Sequence, residues 1–331
     1  MDEFSFIDNI KPNTYRQNKL IKGIGDDAAI FRMGNEDTVI AVDTFVEGVH
    51  FTKETMEPWQ IGYRLMAANL SDLAAMGAAP LFYLASVVIP DELPDADVLQ
   101  IFSGMKKLAD VYGVDLIGGD TTSGGLLTLS LTIIGSVPVG KARLRSDARP
   151  GDVVFVTGTL GDAGAGLDLL LNNIPVNCPE AEKRKLIKRH QLPTPRVEFA
   201  LKLREIGRVA LNDISDGLAN ELNEIAASSN VLIEIDDASV PVSKALSHFP
   251  KDRLDYYKYF AGEDFELVGT VAKSDFPKVE EIAAEAGVRV TEIGFVSYNK
   301  ERNGKVLLRK NGVLKTLRKK GYVHRKSREK S

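Results

Sequence analysis

The 331-residue sequence has a single cysteine, Cys178, so no internal disulfide can form. With only four histidines, a thiolate or multi-histidine zinc centre is not expected either, and any metal must be held by oxygen. No apolar run is long enough to span a bilayer, and Met1 through Pro12 lacks a basic segment followed by an apolar one. The expectation is a soluble, cytoplasmic protein. Neither charge sign dominates: 42 Lys plus Arg against 46 Asp plus Glu leave a formal charge of -4, which gives no global attraction to nucleic acid or anionic membranes. Also missing are a Gly-x-x-x-x-Gly-Lys-Ser/Thr loop and a kinase glycine loop with a following Val-Ala-Ile-Lys. The segment Gly158-Thr-Leu-Gly-Asp-Ala-Gly-Ala-Gly166 does not match the dinucleotide pattern Gly-x-Gly-x-x-Gly.

What is present is 44% hydrophobic residues on a length that suits two domains. Thr38–Phe45, Leu81–Ile89 and Leu126–Val137 read as strands, and Pro58–Gly77 and Asp95–Tyr112 as helices. A polar segment with Pro-Gly, Arg145 to Asp152, separates two strand-rich blocks and marks a domain boundary. Beyond it, Val153–Thr157, Val209–Leu211, Val231–Ile235, Phe265–Val271 and Val288–Val296 read as strands with helices between. The fold class is α/β (α+β) in two domains, residues 1–147 and 148–324, with a basic tail at 325–331. The Lys/Arg-rich stretch Glu301–Ser331 reads as a solvated terminus rather than a nucleic-acid arm.

The aspartates carry the chemistry. Asp43 lies in an apolar strand, Asp120 follows Leu116-Ile-Gly-Gly, and Asp213 follows Val209-Ala-Leu-Asn, each at or near a strand end where α/β proteins place ligand groups. Asp216 opens an expected helix with Ser215 as its N-cap, so it can equally be an acid favoured by the helix N-terminus. On a helical wheel Asp72 falls among Ile61, Leu65, Ala68 and Met76, where an unpaired carboxylate is several kcal/mol unfavourable, on the order of what such burial costs. Arg64 sits about 80° away on that wheel, so a metal or a distant base is at least as good a partner. Gly23-Ile-Gly-Asp-Asp27 adds two acids. A polyacidic site of this kind repels itself unless hard cations fill it, and Mg²⁺ suits carboxylates together with phosphate.

Taken in order, Gly23-Ile-Gly-Asp-Asp27, Asp43-Thr-Phe-Val-Glu-Gly-Val-His-Phe51, Asn69-Leu-Ser-Asp-Leu-Ala-Ala-Met-Gly77, Gly118-Gly-Asp-Thr-Thr122, Val156-Thr-Gly-Thr-Leu-Gly161, Asp213-Ile-Ser-Asp-Gly-Leu218 and Gly262-Glu-Asp264 resemble the motifs of bacterial thiamine-monophosphate kinases. Lys320-Gly-Tyr322 extends the resemblance nearly to the end of the chain. The wider superfamily is that of aminoimidazole ribonucleotide synthetase. The resemblance implies an N-terminal α/β domain that dimerises through its sheet, a C-terminal α/β domain, and ATP at their junction. It further implies that Asp27, Asp43, Asp72, Asp120, Asp213 and Asp216 hold Mg²⁺, with Asp43, Asp120 and Asp213 acting catalytically through it. Gly119, Asp120, Arg145 and Ser215 would lie on ATP, with Asp26 close by. His50, Glu263 and Tyr322 would contact thiamine monophosphate. Alone, His50 is more often a surface or core histidine than a ligand, Tyr322 reads as a packing residue, and Arg145 is equally a surface charge. Family members often carry Ser or Thr just before the aspartate equivalent to Asp43. This chain has Ala41-Val42, so any metal contact there would use a backbone carbonyl.

The reaction so implied needs no general base. A phosphate monoester with a second pKa of about 6 is largely ionised at neutral pH, and the obstacle is repulsion between two polyanions. Two other readings fit the same acids. One is a related ATP-dependent ligase of the superfamily, and the other a non-catalytic nucleotide-binding protein.

Overall fold

Long strands of alternating burial build the first half. The computed structural model describes residues 20–22, 26–171 and 176–320. β1 (Leu20–Lys22), β2 (Ala29–Met33), β3 (Glu36–Val46), β4 (Ala79–Ile89), β5 (Asp115–Ser123) and β6 (Thr128–Pro138) form one sheet in the order β1-β2-β3-β6-β4-β5. Only β4 and β5 run parallel. In β6 every second residue from Leu129 to Val137 is buried, the period-2 signature of a sheet with one covered face.

That covered face packs against α1 (Pro58–Ala75), and α2 (Asp95–Tyr112) packs against α1. Proline at N1 and the Gln60 Oε1 that accepts from the Glu57 N–H at 2.9 Å start α1, and Gly77 at φ +64° ends it. The two helices cross at glycines: a Cβ at Gly62 would lie 1.8 Å from the Ile101 carbonyl oxygen, and one at Gly104 would lie 1.9 Å from that of Trp59. Thirteen of the eighteen α1 residues are buried, because the second half covers the side of α1 that the first sheet leaves open.

The second half holds β7 (Asp152–Thr157), α3 (Asp162–Leu170), α4 (Glu180–Gln191), α5 (Val197–Lys202), β8 (Val209–Asp213), α6 (Leu218–Ser229), β9 (Leu232–Asp236), α7 (Lys251–Tyr259), β10 (Leu267–Ala272), α8 (Phe276–Glu285), β11 (Val290–Ser297), β12 (Lys305–Lys310) and β13 (Val313–Thr316). Its sheet runs β13-β12-β9-β11-β7-β10-β8. The two halves share a continuous core in which Leu65 and Leu70 belong with Phe199, Leu203 and Leu211. Arginines are also exchanged. Arg143 Nη2 donates to the carbonyls of Leu203 and Ile206, both at 2.6 Å, and Arg204 donates to those of Gly77 at 2.8 Å and Ser136 at 3.0 Å.

Two expectations are corrected. The stretch from Glu301 is not all solvated tail: β12 and β13 lie in it, with Val306, Leu307 and Leu317 buried, because its apolar residues complete the sheet edge while its lysines face water. Residues 321–331 lie outside the described residues. Ser215 is not a helix N-cap, since α6 begins at Leu218 with Gly217 in the cap position at φ +103°. The Ser215–Asp216 turn instead pairs with residues 262–263.

Candidate active site

Asp213 ends β8, the edge strand of the second sheet that faces α1. Ser71 on α1 donates to Asp213 Oδ2 at 2.8 Å, which places the next residue, Asp72, in the same cleft. Ligand oxygens of Asp27, Asp72 and Asp213 all lie within 4.8 Å of one another. Burial, then repulsion from Asp213 and Asp26, pushes the Asp27 carboxyl up to about 7 despite Arg145 beside it. Burial raises Asp213 to about 7 as well, against the Ser71 hydroxyl. Asp72 is raised well above its ordinary range by burial and by Asp43, Asp213 and Asp27. Asp43 reaches about 6 through burial and the Asp216 charge, so those two acids belong to the same field.

Against these carboxylates stand Arg145 and, on Asp26 alone, Lys22, whose Nζ lies 3.3 Å from Oδ2. Arg145 forms an ion pair with Asp27, lies 3.7 Å from Asp26, and donates from Nε to Asn212 at 3.2 Å. Burial works against its charge, but Asp27, Glu221 and Asp26 hold it above its ordinary range. The Asp26 and Asp27 side chains are 0% and 3% exposed, and Asp27 Oδ2 has no hydrogen-bond partner among the described residues. A buried, cation-deficient, all-oxygen donor set fits a hard divalent ion such as Mg²⁺.

Glu221 is a further acid of this cluster that the motifs did not reveal. It accepts from Asn212 Nδ2 at 2.7 Å and from the Asp216 N–H at 3.1 Å, and burial and the Asp216 charge raise it well above its usual range. A signal existed: Glu221 lies among Leu218, Leu222 and Ile225 on α6, the same apolar-stripe anomaly that singled out Asp72.

A second group gathers beside the acids. Ser215 accepts through its carbonyl from the Glu263 N–H at 2.6 Å, and Glu263 and Phe265 both take left-handed backbone, at φ +67° and +48°. Such strain in non-glycine residues marks positions held for a purpose beyond local folding. His50 accepts at Nδ1 from the Val46 N–H at 3.1 Å and stacks on Phe45 with centroids 5.1 Å apart. Arg64 is not the partner of Asp72. It is ion-paired with Glu263 and bonded to the buried His190, and neither Arg64–Glu263 nor His190 was expected from the sequence.

Gly119 and Asp120 stand apart within the single chain, on β5, where every residue is exposed. A Cβ at Gly119 would lie 1.9 Å from the Ala85 carbonyl oxygen, so only glycine fits there. Tyr322 lies outside the described residues, as do Gly23 through Gly25. The glycine-rich turn after β7 does lead into a helix, but the Asp264 carboxylate occupies the α3 N-terminus, accepting from Gly161 N at 2.7 Å and Ala163 N at 3.2 Å. That dipole end is filled by protein rather than open to a phosphate.

Two family models match the chain: AIR synthase related protein, N-terminal domain, over residues 25–137, and its C-terminal domain over residues 149–305. The thiamine-monophosphate kinase of Bacillus subtilis is 41% identical over 98% of this chain and 99% of its own length. The chain belongs to the thiamine-monophosphate kinase family. The enzyme of that name from Escherichia coli K12 is 39% identical over 91% of both chains. Among solved structures, the thiamine-monophosphate kinase of Stenotrophomonas maltophilia K279a superposes with a TM-score of 0.77 at 38% identity, covering 92% of this chain and 96% of that one. AaThiL complexed with AMPPCP and TMP superposes with a TM-score of 0.83 at 31% identity, covering 98% and 97%. In this thiamine-monophosphate kinase family member the matched segments share the acid cluster: Asp27, Asp43 and Asp72 fall in the first, Asp213, Asp216 and Glu221 in the second, and Arg145 lies between them.

Proposed function

We propose that the protein transfers the γ-phosphoryl group of ATP to the phosphate of thiamine monophosphate, giving thiamine diphosphate and ADP. The observation that carries this reading is the convergence of Asp27, Asp72 and Asp213 within 4.8 Å, with too few cations to balance them. Family membership and the relative bound to AMPPCP and TMP supply the substrates.

Asp27, Asp43, Asp72, Asp120, Asp213 and Asp216 hold Mg²⁺, Gly119, Asp120, Arg145 and Ser215 contact ATP, and His50, Glu263 and Tyr322 contact the acceptor. Mg²⁺ held by these carboxylates would supply charge neutralisation between the two phosphate groups. The chain's own part is positioning. Ser71 orients Asp213, Asn212 and Glu221 fix the Arg145 and Asp216 segments, and the left-handed turn at Glu263, tied by its N–H to the Ser215 carbonyl, places its carboxylate on Arg64. No side chain needs to remove a proton, because the acceptor phosphate is already largely ionised at neutral pH.

The same reading divides the chain at residues 1–147 and 148–324, with a basic tail at 325–331, and makes it a cytoplasmic homodimer. No helix of the described residues is long and apolar enough to cross a membrane. The first sheet favours pairing with a second copy: edge strand β5 is exposed throughout, including Leu116 and Ile117, and Val42 on β3 is 60% exposed. Docking there covers the strand that carries Gly119 and Asp120.

ADP release with thiamine monophosphate or free thiamine, with and without Mg²⁺, tests the assignment. Release is expected only with the monophosphate and the metal. ADP formation with free thiamine alone, or none with either, overturns it. A labelled phosphoprotein trapped during turnover counts against direct transfer.

A further inference from the structure

The largest fully buried side chain among the described residues is a cation that the phosphate chemistry does not use. Arg64 is 0% exposed. A buried guanidinium persists only if it is paired, and three elements converge on this one. Glu263 supplies the counter-charge from the strained turn of the second half. His190, at the end of α4 and 1% exposed, faces Arg64 Nη1 through Nε2 at 3.1 Å. The Phe45 ring centroid lies 6.0 Å from the guanidinium carbon, and His50 stacks on Phe45.

The histidine tautomer follows. Burial and the Arg64 charge push the His190 imidazole down to about 2, so it is neutral and accepts from Arg64 at Nε2. Its proton is therefore on Nδ1, which lies 3.8 Å from Glu263 Oε2 and has no hydrogen-bond partner among the described residues. Gln191 holds this end of α4 in place by donating to the Thr55 carbonyl at 2.7 Å. Arg64 and His190 thus both address the same Glu263 oxygen, while the Glu263 side chain remains 33% exposed. One side of the carboxylate is fixed by the protein, and the other is open.

From this arrangement we infer that Arg64 and His190 are positioning residues for the phosphoryl acceptor: together they aim the open side of Glu263 at a hydrogen-bond donor on the acceptor's ring system, and through Phe45 Arg64 also steadies His50. Arg64 precedes Asp72 by eight residues on α1, roughly 12 Å along the helix axis. One rigid helix therefore spaces the ring-recognition end from the acid cluster, a span that a phosphate ester of an extended two-ring alcohol bridges. Acceptors too short to reach both ends are rejected by geometry rather than by a clash.

The inference rests on the acceptor role of Glu263 proposed above, and steady-state kinetics on the full-length enzyme separate the two. Wild-type enzyme that releases no ADP with thiamine monophosphate refutes the proposed function. If wild type is active, H190L and R64K are expected to raise the KM for thiamine monophosphate by about tenfold, the scale of one lost charge-assisted hydrogen bond, with the KM for ATP within about twofold of wild type. H190Q, which keeps an acceptor for Arg64, restores the acceptor KM to within about threefold. Folded variants with lowered melting temperatures but an unchanged acceptor KM, or with both KM values raised together, overturn the inference. Failure of all three variants to fold also overturns it, by assigning the pair to the core alone.

Discussion

Two groups of buried carboxylates lie in this molecule, and they are treated in opposite ways. Glu266 at the start of β10 is fully buried and accepts from Thr157 Oγ1 at 2.6 Å, Arg189 Nη2 at 2.7 Å and Arg196 Nε at 2.6 Å. Burial alone would raise its pKa, yet Arg196, Arg189 and the Thr157 hydroxyl hold it below the ordinary value. Asp27, Asp72 and Asp213 are pushed up instead, because the fold surrounds them with more acids and one arginine. An acid kept for architecture brings its cations within the chain. One kept for chemistry leaves charge for something else to balance.

The sharpest way to break this contrast is to remove one charge from each group. D213N should lower kcat/KM by roughly 10³-fold, the scale of losing a principal electrostatic contact in phosphoryl transfer, while leaving metal-free folding stability unchanged or raised. Near wild-type turnover at limiting Mg²⁺ would refute the assignment. E266Q should do the reverse, costing about 3–5 kcal/mol in chemical denaturation because it removes the buried carboxylate that pairs two partly buried arginines, with or without metal. A stability loss below about 1 kcal/mol would erase the distinction.

Acidity sharpens it further. Asp27, Asp43 and Asp213 rise from 3.8 to between about 6 and 7 on folding, so their contribution to metal-free stability is fully present below pH 4 and is lost as pH climbs through 6 to 7. Mg²⁺ competes with those protons. The gain in melting temperature on adding Mg²⁺ should be larger at pH 7.5 than at pH 5.5, by roughly 5 °C. Equal gains at both values would remove the cluster from metal binding. The smallest effect concerns orientation: S71A, which deletes the donor to Asp213 Oδ2, should raise the Mg²⁺ concentration for half-maximal activity by about tenfold.

Much of this was legible in the sequence where burial leaves a period. β6 alternates along its length, β3 mostly so, and β4 from Tyr83 to Val88 after a bulge at 80–82, and all three were readable as strands, as were α1 and α2 from their proline and glycine boundaries. β5 offered no period, because both its faces are exposed in the single chain, and β12 and β13 were hidden by their lysines and arginines. Asp72 was found because a charge in an apolar stripe needs an explanation. Glu221 satisfies the same criterion and was missed for want of a motif around it. Arg64 was weighed only as one candidate for Asp72, and its true partners were not foreseen: Glu263 and His190 lie far along the chain, and only the packing of α4 and the turn at 262–265 against α1 brings them together.

The exchanged arginines of the two halves have a mechanical consequence. Arg143 and Arg204 grip backbone carbonyls, not carboxylates, so added salt does little to loosen them. With the shared core beneath, swinging the halves apart as rigid bodies would require stripping four such bonds and wetting apolar surface together. Ligand traffic in each turnover therefore falls to side chains and loops at the mouth of the cleft.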